Sequence, residues 1–310
     1  MRTRMLLRRS LLAAGAALPL AAAAQPAGPV TILVGFAPGG IGDALMRALA
    51  EHMRQSRGVQ VIVENRPGAA GTLANERAAQ AAPDGRTVAL YSPSTVWIVP
   101  QLQRVGYDPL KDLTPLGQIC TQPMPVYVKA DSRFASWDAV LAHLRAKPGD
   151  FSWGTAGSRS MAEITVEAAF RQLGLQTTSA PFRGGAEAIT ALLGGHVDAV
   201  ASTDFGPLLR QGAVRLLVET GPVPAAGHDI PTFAQLGYPL HAAVAYGVVG
   251  PAGMPPPILA WWDAAIRDAT ASPAMKELVE RWFGRVAHVG QAELGLQFRE
   301  GHEAFARALR

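Results

Sequence analysis

Glycine, proline and a single carboxylate are concentrated in one short segment, Ala37-Pro-Gly-Gly-Ile-Gly-Asp43. A β-rich apolar run precedes it at residues 30–36, and apolar residues at helical spacing follow it. This order predicts a strand, a tight loop and a helix whose first backbone N–H groups face a cavity. The positive end of the helix dipole there favours a small anion such as a carboxylate. Alternatively, the glycines serve only the tight geometry of the turn.

No motif in the chain indicates catalysis or a cofactor. The sequence has no Gly-x-Ser-x-Gly and no His-Glu-x-x-His pattern, and Gly40-Ile-Gly42 lacks the third glycine of a dinucleotide fingerprint. Cys120 is the only cysteine, has no activating neighbour in the sequence and is expected to be buried. We expect no catalytic residue, no metal and no cofactor. The alternative is an exported α/β enzyme, acting on a small anionic substrate, whose catalytic triad is not visible in the sequence.

The first 24 residues have the three-part pattern of a secretory signal. Four arginines precede an uncharged stretch at residues 11–24, which is too short to span a bilayer and ends in Ala22-Ala-Ala24. The pair Arg8-Arg9 also fits a twin-arginine signal, so the export route stays open. We expect cleavage near Ala24 and a periplasmic product.

Removal of this leader changes the charge of the chain. The full sequence has 28 Lys and Arg against 24 Asp and Glu, for a net charge of +4 and a pI near 9.5. Since the four leader arginines are lost and the leader has no acids, 24 basic residues then balance 24 acidic ones. Nucleic acid is therefore not expected as a partner. Taking 24 residues from 310 leaves 286, which predicts two lobes rather than one core.

Short apolar runs alternate with helical patterns over most of the chain. Strands are predicted at residues 30–36, 59–63, 87–91, 126–128, 151–153, 177–180, 214–218 and 244–249. Helices are predicted between them, at residues 72–82, 137–146, 163–173 and 186–193. This alternation predicts an α/β protein with parallel sheets. After Pro251 the sequence predicts helices alone, with no further strand.

Four ordered blocks resemble one protein family. They are Phe36-Ala-Pro-Gly-Gly-Ile-Gly-Asp43; Val63-Glu-Asn-Arg-Pro-Gly-Ala-Ala-Gly71 with Pro83-Asp-Gly-Arg-Thr87; Gly154-Thr-Ala-Gly157; and Ala180-Pro-Phe-Arg-Gly-Gly-Ala186 with Leu193-Gly-Gly-His-Val-Asp198. Together they are similar to the extracytoplasmic solute-binding proteins of tripartite tricarboxylate transporters, the Bug or TctC-like receptors. The match covers nearly the whole chain after the leader.

The resemblance implies a type II periplasmic-binding-protein fold, in which two crossover strands join two α/β lobes and a ligand cleft lies between them. Lobe one would hold residues 26–124 and 248–310, and lobe two residues 125–247. The resemblance also implies a small carboxylate as ligand, membrane subunits of a tripartite tricarboxylate-type transporter as partners, and no catalysis. A receptor used for sensing rather than uptake is a further alternative.

Two regions supply the expected ligand-binding residues, at positions that match the family's motifs. The first loop contributes Phe36, Ala37, Gly39, Gly40, Gly42 and Asp43. Lobe two contributes Gly154, Thr155, Ala156, Gly157, Ser158, Arg159, Phe182, Arg183, Gly184, Thr203 and Asp204. Within this set, residues 154–158 form a second turn rich in N–H groups at a predicted helix start.

Three charged residues of this set have two roles open to them. Asp43 is expected to cap its helix rather than contact an anionic ligand, since two carboxylates repel. Asp204 either caps a helix or receives a ligand amine, and we expect the cap. Arg159 pairs either with an extra ligand carboxylate, selecting a dianionic or larger anion, or with Glu163 four residues along the chain. In the family, position 159 usually carries glycine and position 163 usually carries histidine. Because this chain differs at both positions, the identity of its ligand stays open.

Overall fold

The structure is a computed structural model and describes residues 25–241 and 243–308. The expected signal segment, residues 1–24, lies outside the described residues. Within them, no helix combines the length and the apolar character needed to cross a membrane.

The strands form two sheets and are numbered here in chain order. The first sheet contains β1 (Val30–Val34), β2 (Val61–Asn65), β3 (Thr87–Tyr91), β4 (Leu113–Gln122), β10 (Val244–Pro251) and β11 (Arg285–Gly290), in the order β11-β4-β10-β3-β1-β2. The second contains β5 (Pro125–Lys129), β6 (Ser152–Thr155), β7 (Thr178–Pro181), β8 (Ala199–Ala201) and β9 (Val214–Glu219), in the order β7-β6-β8-β5-β9. We call each sheet with its helices a lobe.

Helices flank both sheets. Those of the first lobe are α1 (Ile41–Arg57), α2 (Thr72–Ala79), α3 (Val99–Leu102), α8 (Pro256–Ala271), α9 (Pro273–Arg281) and α10 (Gln291–Ala308). Those of the second are α4 (Trp137–Ala146), α5 (Met161–Gln172), α6 (Gly185–Leu193) and α7 (Gly206–Arg210). In α1 the fully buried Leu45, Leu49 and Met53 form one apolar face. The helix ends at Gly58, whose φ of 64° is readily adopted by glycine.

Both sheets are mixed, so the prediction of parallel sheets is only partly right. β1 lies parallel to β2 and β3, and β6 lies parallel to β7 and β8. However, β10 is antiparallel to β3 and β4, and β5 is antiparallel to β8 and β9. In the first sheet β10 and β11 therefore run against the other strands, and in the second sheet β5 does.

The prediction that no strand follows Pro251 is wrong, because β11 pairs with β4 at the edge of the first sheet. The residues of β11 after Arg285 are only half-buried, and its register breaks between Val286 and Val289. Such an irregular edge strand lacks a clear alternating pattern. β4 was not predicted either, since Pro115 and Gly117 interrupt its apolar run.

Glu219 joins the two segments by which the chain crosses between lobes. Its Oε1 accepts the N–H of Met124 at 2.8 Å and that of Gly221 at 3.0 Å. The Thr220 hydroxyl donates to the Met124 carbonyl at 2.6 Å. Glu219 is fully buried, and its Oε2 has no hydrogen-bond partner among the described residues. Burial raises its pKa to about 7 despite the backbone N–H groups that oppose the shift.

Gly247 lies where β10 passes between β3 and β4. A Cβ there would lie 2.5 Å from Tyr91 Cε1 and 2.7 Å from Gln118 Cα, so the strands would have to separate. We expect Gly247→Ala to lower the free energy of unfolding by roughly 1–3 kcal/mol. The matched control is Gly295 in α10, whose Cβ would have no neighbour closer than 3.8 Å. Gly295→Ala should leave stability unchanged or raise it by up to about 1 kcal/mol. Equal stability of both variants in urea unfolding would contradict the close packing.

Glu219 predicts a pH dependence of stability. Because its pKa is about 7 in the folded protein against 4.5 when exposed, the folded state holds a proton between these values that the unfolded state has released. Its stabilising contribution is therefore full below pH 4.5 and falls as the pH rises to 7, by at most about 1.4 kcal/mol per pH unit.

The check is the unfolding free energy of Glu219→Gln relative to wild type, measured at pH 5 and pH 8. The unfolding free energy of the variant should rise relative to that of wild type between pH 5 and pH 8, because glutamine cannot ionise. Exposed Glu303 provides the control, because Glu303→Gln should follow the wild-type curve. A Glu219→Gln curve parallel to that of wild type would contradict the assigned shift.

Candidate functional site

The first helix of the site begins beyond the carboxyl end of β1. Its N-cap is Gly40, so Asp43 does not cap α1 as expected but lies in its first turn. The Asp43 carboxylate instead accepts the N–H of Gly39 at 3.1 Å and hydrogen bonds from Arg47 and Asn65. Burial alone would raise the pKa of Asp43, but these bonds and the Arg47 charge outweigh it and lower the pKa. Asp43 therefore stays ionised and holds the loop in shape.

A carboxylate of the second lobe caps this helix. Asp204, which follows β8, accepts the N–H of Ile41 at 2.7 Å. Ile41 is the first residue of α1. Asp204 is thus a helix cap, as predicted, but the helix belongs to the other lobe. Burial raises the pKa of Asp204 to about 6, and the Ile41 N–H opposes this only in part. Among the described residues, no basic side chain pairs with it.

At the start of α5, in the second lobe, the acceptor comes from the first lobe. Ser160 is the N-cap of α5, and its hydroxyl accepts the N–H of Glu163 at 3.3 Å. The N–H of Met161, the first residue of α5, donates to the Ser94 hydroxyl of the first lobe at 3.0 Å. Each lobe thus supplies the acceptor for the first N–H of a helix in the other. We call these contacts, Ile41–Asp204 and Met161–Ser94, the cross-caps.

Further contacts join the lobes beside the cross-caps. The N–H of Ala37 donates to the Arg183 carbonyl at 3.2 Å. A Cβ at Gly184 would lie 2.9 Å from the Ala37 nitrogen, so the backbones can approach this closely only because position 184 is glycine. At another edge, the Arg159 guanidinium donates to the Leu102 carbonyl at 2.6 Å. The cleft is shut.

A cavity of about 40 Å³ lies beside the Met161–Ser94 cross-cap. Space of this size holds about three water molecules. Its polar lining consists of hydroxyl side chains, from Ser92, Ser94, Ser160, Ser202, Thr203 and Tyr246. The rest of the lining is apolar, from Phe36, Met124, Ala156, Met161, Ala162, Ala201 and Val244. No charged side chain of the described residues lines it.

Most of these hydroxyls are already paired within the protein. Thr203 Oγ1 lies 2.9 Å from the Tyr246 hydroxyl, and Ser202 Oγ lies 2.8 Å from the Tyr127 hydroxyl. Ser92 is the exception: it is only 3% exposed, and its Oγ has no hydrogen-bond partner among the described residues. A polar ligand group in the cavity could therefore form a hydrogen bond with Ser92 Oγ.

The predicted ligand-binding residues divide into groups. Those that line the cavity are Phe36, Ala156 and Thr203. Those at the contacts between lobes or in the loops that make them are Ala37, Gly39, Gly40, Asp43, Arg159, Arg183, Gly184 and Asp204. Gly42 lies in the first turn of α1, where a Cβ would come 2.7 Å from a Leu90 methyl. The contribution of each to ligand binding remains a prediction.

The remaining predicted residues lie at the end of β6 and next to it. Gly154, Thr155 and Gly157 are buried, and the Thr155 hydroxyl donates to the Gly157 carbonyl at 3.1 Å. Phe182 is half-buried and packs over Gly154, where a Cβ would lie 3.0 Å from its ring. Ser158 is exposed. Gly157 also lies against Ala70 of the first lobe, where a Cβ would come 2.8 Å from the Ala70 Cα, so the turn packs against both lobes.

Of the two roles open to Arg159, a pair between its guanidinium and Glu163 is not formed, and selection of a dianionic or larger anion stays an untested prediction. It is the backbone N–H of Arg159 that donates to the Glu163 carboxylate, while the guanidinium reaches Leu102 in the first lobe. Arg159 has a left-handed backbone, with φ of 57°. This conformation turns its amide toward Glu163 and leaves the side chain free to reach across the cleft.

The cavity includes residues that were not predicted. Ser92 and Ser94 follow β3, Ser202 follows β8, and Tyr246 lies in β10. A signal for Ser92 was available, because ligands of α/β sheets bind beyond the carboxyl ends of strands and β3 was placed correctly. Tyr246 had no such signal, since the packing of both lobes decides which face of β10 meets the cleft.

Cys120 and a second cavity lie outside the lining described above. Cys120 is buried as predicted, and burial raises the pKa of its thiol to about 12. Within residues 25–241 and 243–308, no three His, Cys, Asp or Glu side chains come together as metal ligands would. A larger cavity of about 160 Å³ lies behind the lobe crossings, against Pro123, Glu219 and Pro222. It includes none of the predicted site residues.

Known proteins share both the sequence pattern and the architecture. The model of the tripartite tricarboxylate transporter family receptor matches residues 45–291. The chain is 33% identical over 271 residues to the UPF0065 protein in the gbd 5' region of Cupriavidus necator, covering 86% of this chain and 83% of that protein. It is 31% identical over 274 residues to protein BugT of Bordetella pertussis, covering 85% and 83% respectively.

Two solved structures extend this similarity to the fold. MatC from Rhodopseudomonas palustris with bound malate is 26% identical and superimposes with a TM-score of 0.84, over 92% of this chain and 100% of that one. The periplasmic binding protein BugD is 26% identical with a TM-score of 0.83, over 91% and 96%. The predicted two-lobe periplasmic-binding-protein fold is confirmed. The chain therefore belongs to the family of tripartite tricarboxylate transporter receptors.

Proposed function

We propose that this chain is an extracytoplasmic receptor that captures a small carboxylate between its lobes and presents it to the membrane subunits of a tripartite tricarboxylate-type transporter. Residues 1–24 would be removed near Ala24 during export to the periplasm. Residues 26–124 and 248–310 would move as one lobe and residues 125–247 as the other. The crossings joined by Glu219 would serve as the hinge.

The observation that carries the proposal is that two helix N-termini meet the opposite lobe at one cleft. The first N–H of α1 and that of α5 each donate to a side-chain oxygen across the cleft. Helix N-termini favour negative oxygen atoms, because unpaired N–H groups and the helix dipole act together there. Asp204 is a carboxylate of the protein itself that is held in this way at the start of α1.

Binding without turnover fits the cavity chemistry. Among the described residues, no histidine or carboxylate lines the cavity beside these hydroxyls to act as a base that activates one as a nucleophile. The relatives support the same conclusion, since MatC is described with bound malate and BugD as a periplasmic binding protein.

A thermal-shift screen of carboxylates on the chain without its leader, followed by calorimetry, tests the proposal. A true ligand should stabilise the protein by about 2.7 kcal/mol at one hundred times its dissociation constant, and should be recovered unchanged. Stabilisation by neutral sugars or cations while every carboxylate fails would contradict it. So would turnover that is lost when one Ser, His or Asp is changed.

Ser94 provides a direct test of the α5 helix start. Ser94→Ala removes a hydroxyl that lines the cavity and accepts the Met161 N–H. We expect the affinity for the carboxylate found in the screen to fall roughly 5- to 30-fold, the loss of about 1–2 kcal/mol of hydrogen bonding. Ser136 is the matched control, because it caps α4 through the Ala139 N–H and faces solvent. Ser136→Ala should cost stability but leave affinity unchanged, and an equal loss of affinity in both variants would contradict the assignment.

A further inference from the structure

The start of α1 is already filled by a carboxylate of the protein. Asp204 Oδ1 accepts the Ile41 N–H, and a Cβ on Gly40 would lie only 2.8 Å from that oxygen. A Cβ on Gly185, at the start of α6, would collide with Oδ2. Glycines of both lobes therefore close around this carboxylate. A second carboxylate cannot take the same place while the cleft is shut.

The start of α5 remains the open polar end of the cavity. Ser94 and Met161 meet there, and Ser92 Oγ is buried without a partner. Two hydroxyls of the first lobe can donate to one carboxylate group there, and the first N–H of α5 can exchange its Ser94 acceptor for that carboxylate. Ser92 and Ser94 can donate to its oxygen atoms, and the helix dipole adds a favourable field.

The rest of the cavity is unsuited to a second anionic group. Met124, Ala201 and Val244 form apolar walls, and the hydroxyls of Thr203 and Tyr246 are paired with each other. No Lys, Arg or His of the described residues lines it. Asp204 directly follows Thr203, is itself buried, and has no basic partner among the described residues. A second ligand carboxylate would be desolvated near this like charge with nothing to balance it.

We propose that the ligand carries a single carboxylate on a short apolar body, and that the Asp204 carboxylate selects against dicarboxylates. This inference rests on the proposed function and narrows it to one chemical class. Malate, bound in the similar protein MatC, has two carboxylates, so the proposal separates the specificity of this chain from that of a protein with the same fold.

Calorimetry with matched acids tests the proposal on the wild-type chain without its leader. The pairs are propanoate with malonate and butanoate with succinate, measured at pH 8 so that every carboxyl group is ionised. We expect each monocarboxylate to bind at least tenfold more tightly than the dicarboxylate of equal length. A dicarboxylate that binds as tightly or more tightly overturns the inference and leaves the proposed function standing. Failure of all carboxylates, including the wider screen, overturns both.

Two variants assign the selectivity to its source. Asp204→Asn keeps an oxygen for the Ile41 N–H but removes the charge, so the preference for monocarboxylates should fall to within about threefold. Asp138→Asn, on the exposed face of α4, is the matched control and should keep the wild-type ratio. An unchanged ratio in Asp204→Asn overturns the role of Asp204.

Ser92→Ala gives an independent measurement at the polar end. It removes the unpaired hydroxyl without touching either cross-cap, and it should weaken butanoate binding at least threefold. The circular dichroism and unfolding midpoint of this variant should match wild type, since Ser92 Oγ makes no hydrogen bond in the described residues. Full affinity in Ser92→Ala would overturn the placement of the carboxylate at this end.

Discussion

The first N–H groups of a helix have no hydrogen-bond acceptor inside the helix. The need for acceptors outside the helix determines how the two lobes meet at the cleft. In this chain two such groups meet acceptors of the opposite lobe, Ile41 at Asp204 and Met161 at Ser94. Because both acceptors lie in the opposite lobe, these two bonds form only when the cleft is shut. The positions at which α1 and α5 begin therefore favour closure of the lobes. The glycine-rich loop allows it, because Gly40 and Gly184 let the opposing chain approach within contact distance.

Three buried carboxylates show how the surroundings decide charge in this fold. Asp43 has Arg47 and Asn65 as partners, and its pKa is lowered. Asp204 and Glu219 have backbone N–H groups instead, and burial raises their pKa values to about 6 and about 7. The first carboxylate shapes a loop within one lobe. The other two link separate parts of the chain, Asp204 across the cleft and Glu219 across the chain crossings. Both carboxylates with a raised pKa therefore lie where the lobes join.

Local sequence patterns located regular elements well and could not place contacts between lobes. β3 and α4 lie where the sequence predicted them, because a compact apolar run and a clear helical period mark them. β4 and β11 were missed because Pro115, Gly117 and a broken register hide their strand pattern. The cap role of Asp204 was predicted from residue type. That the capped helix is α1 was not predicted, because 163 positions of sequence separate Asp204 from Ile41. Such a pairing depends on the path of the whole chain.

The cross-caps connect the free energy of ligand binding to that of lobe closure. A helix cap contributes about 0.5–2 kcal/mol, so the two cross-caps together are comparable to the few kcal/mol that separate alternative conformations of a protein. A ligand carboxylate between Ser94 and Met161 would replace a neutral acceptor with a charged one, and charge-assisted hydrogen bonds are roughly twice as strong. Because its partners belong to different lobes, such a ligand gains this energy only when the cleft is shut. Under the proposed function, the ligand would thereby stabilise the shut form, and a transporter that recognises that form would respond to occupancy.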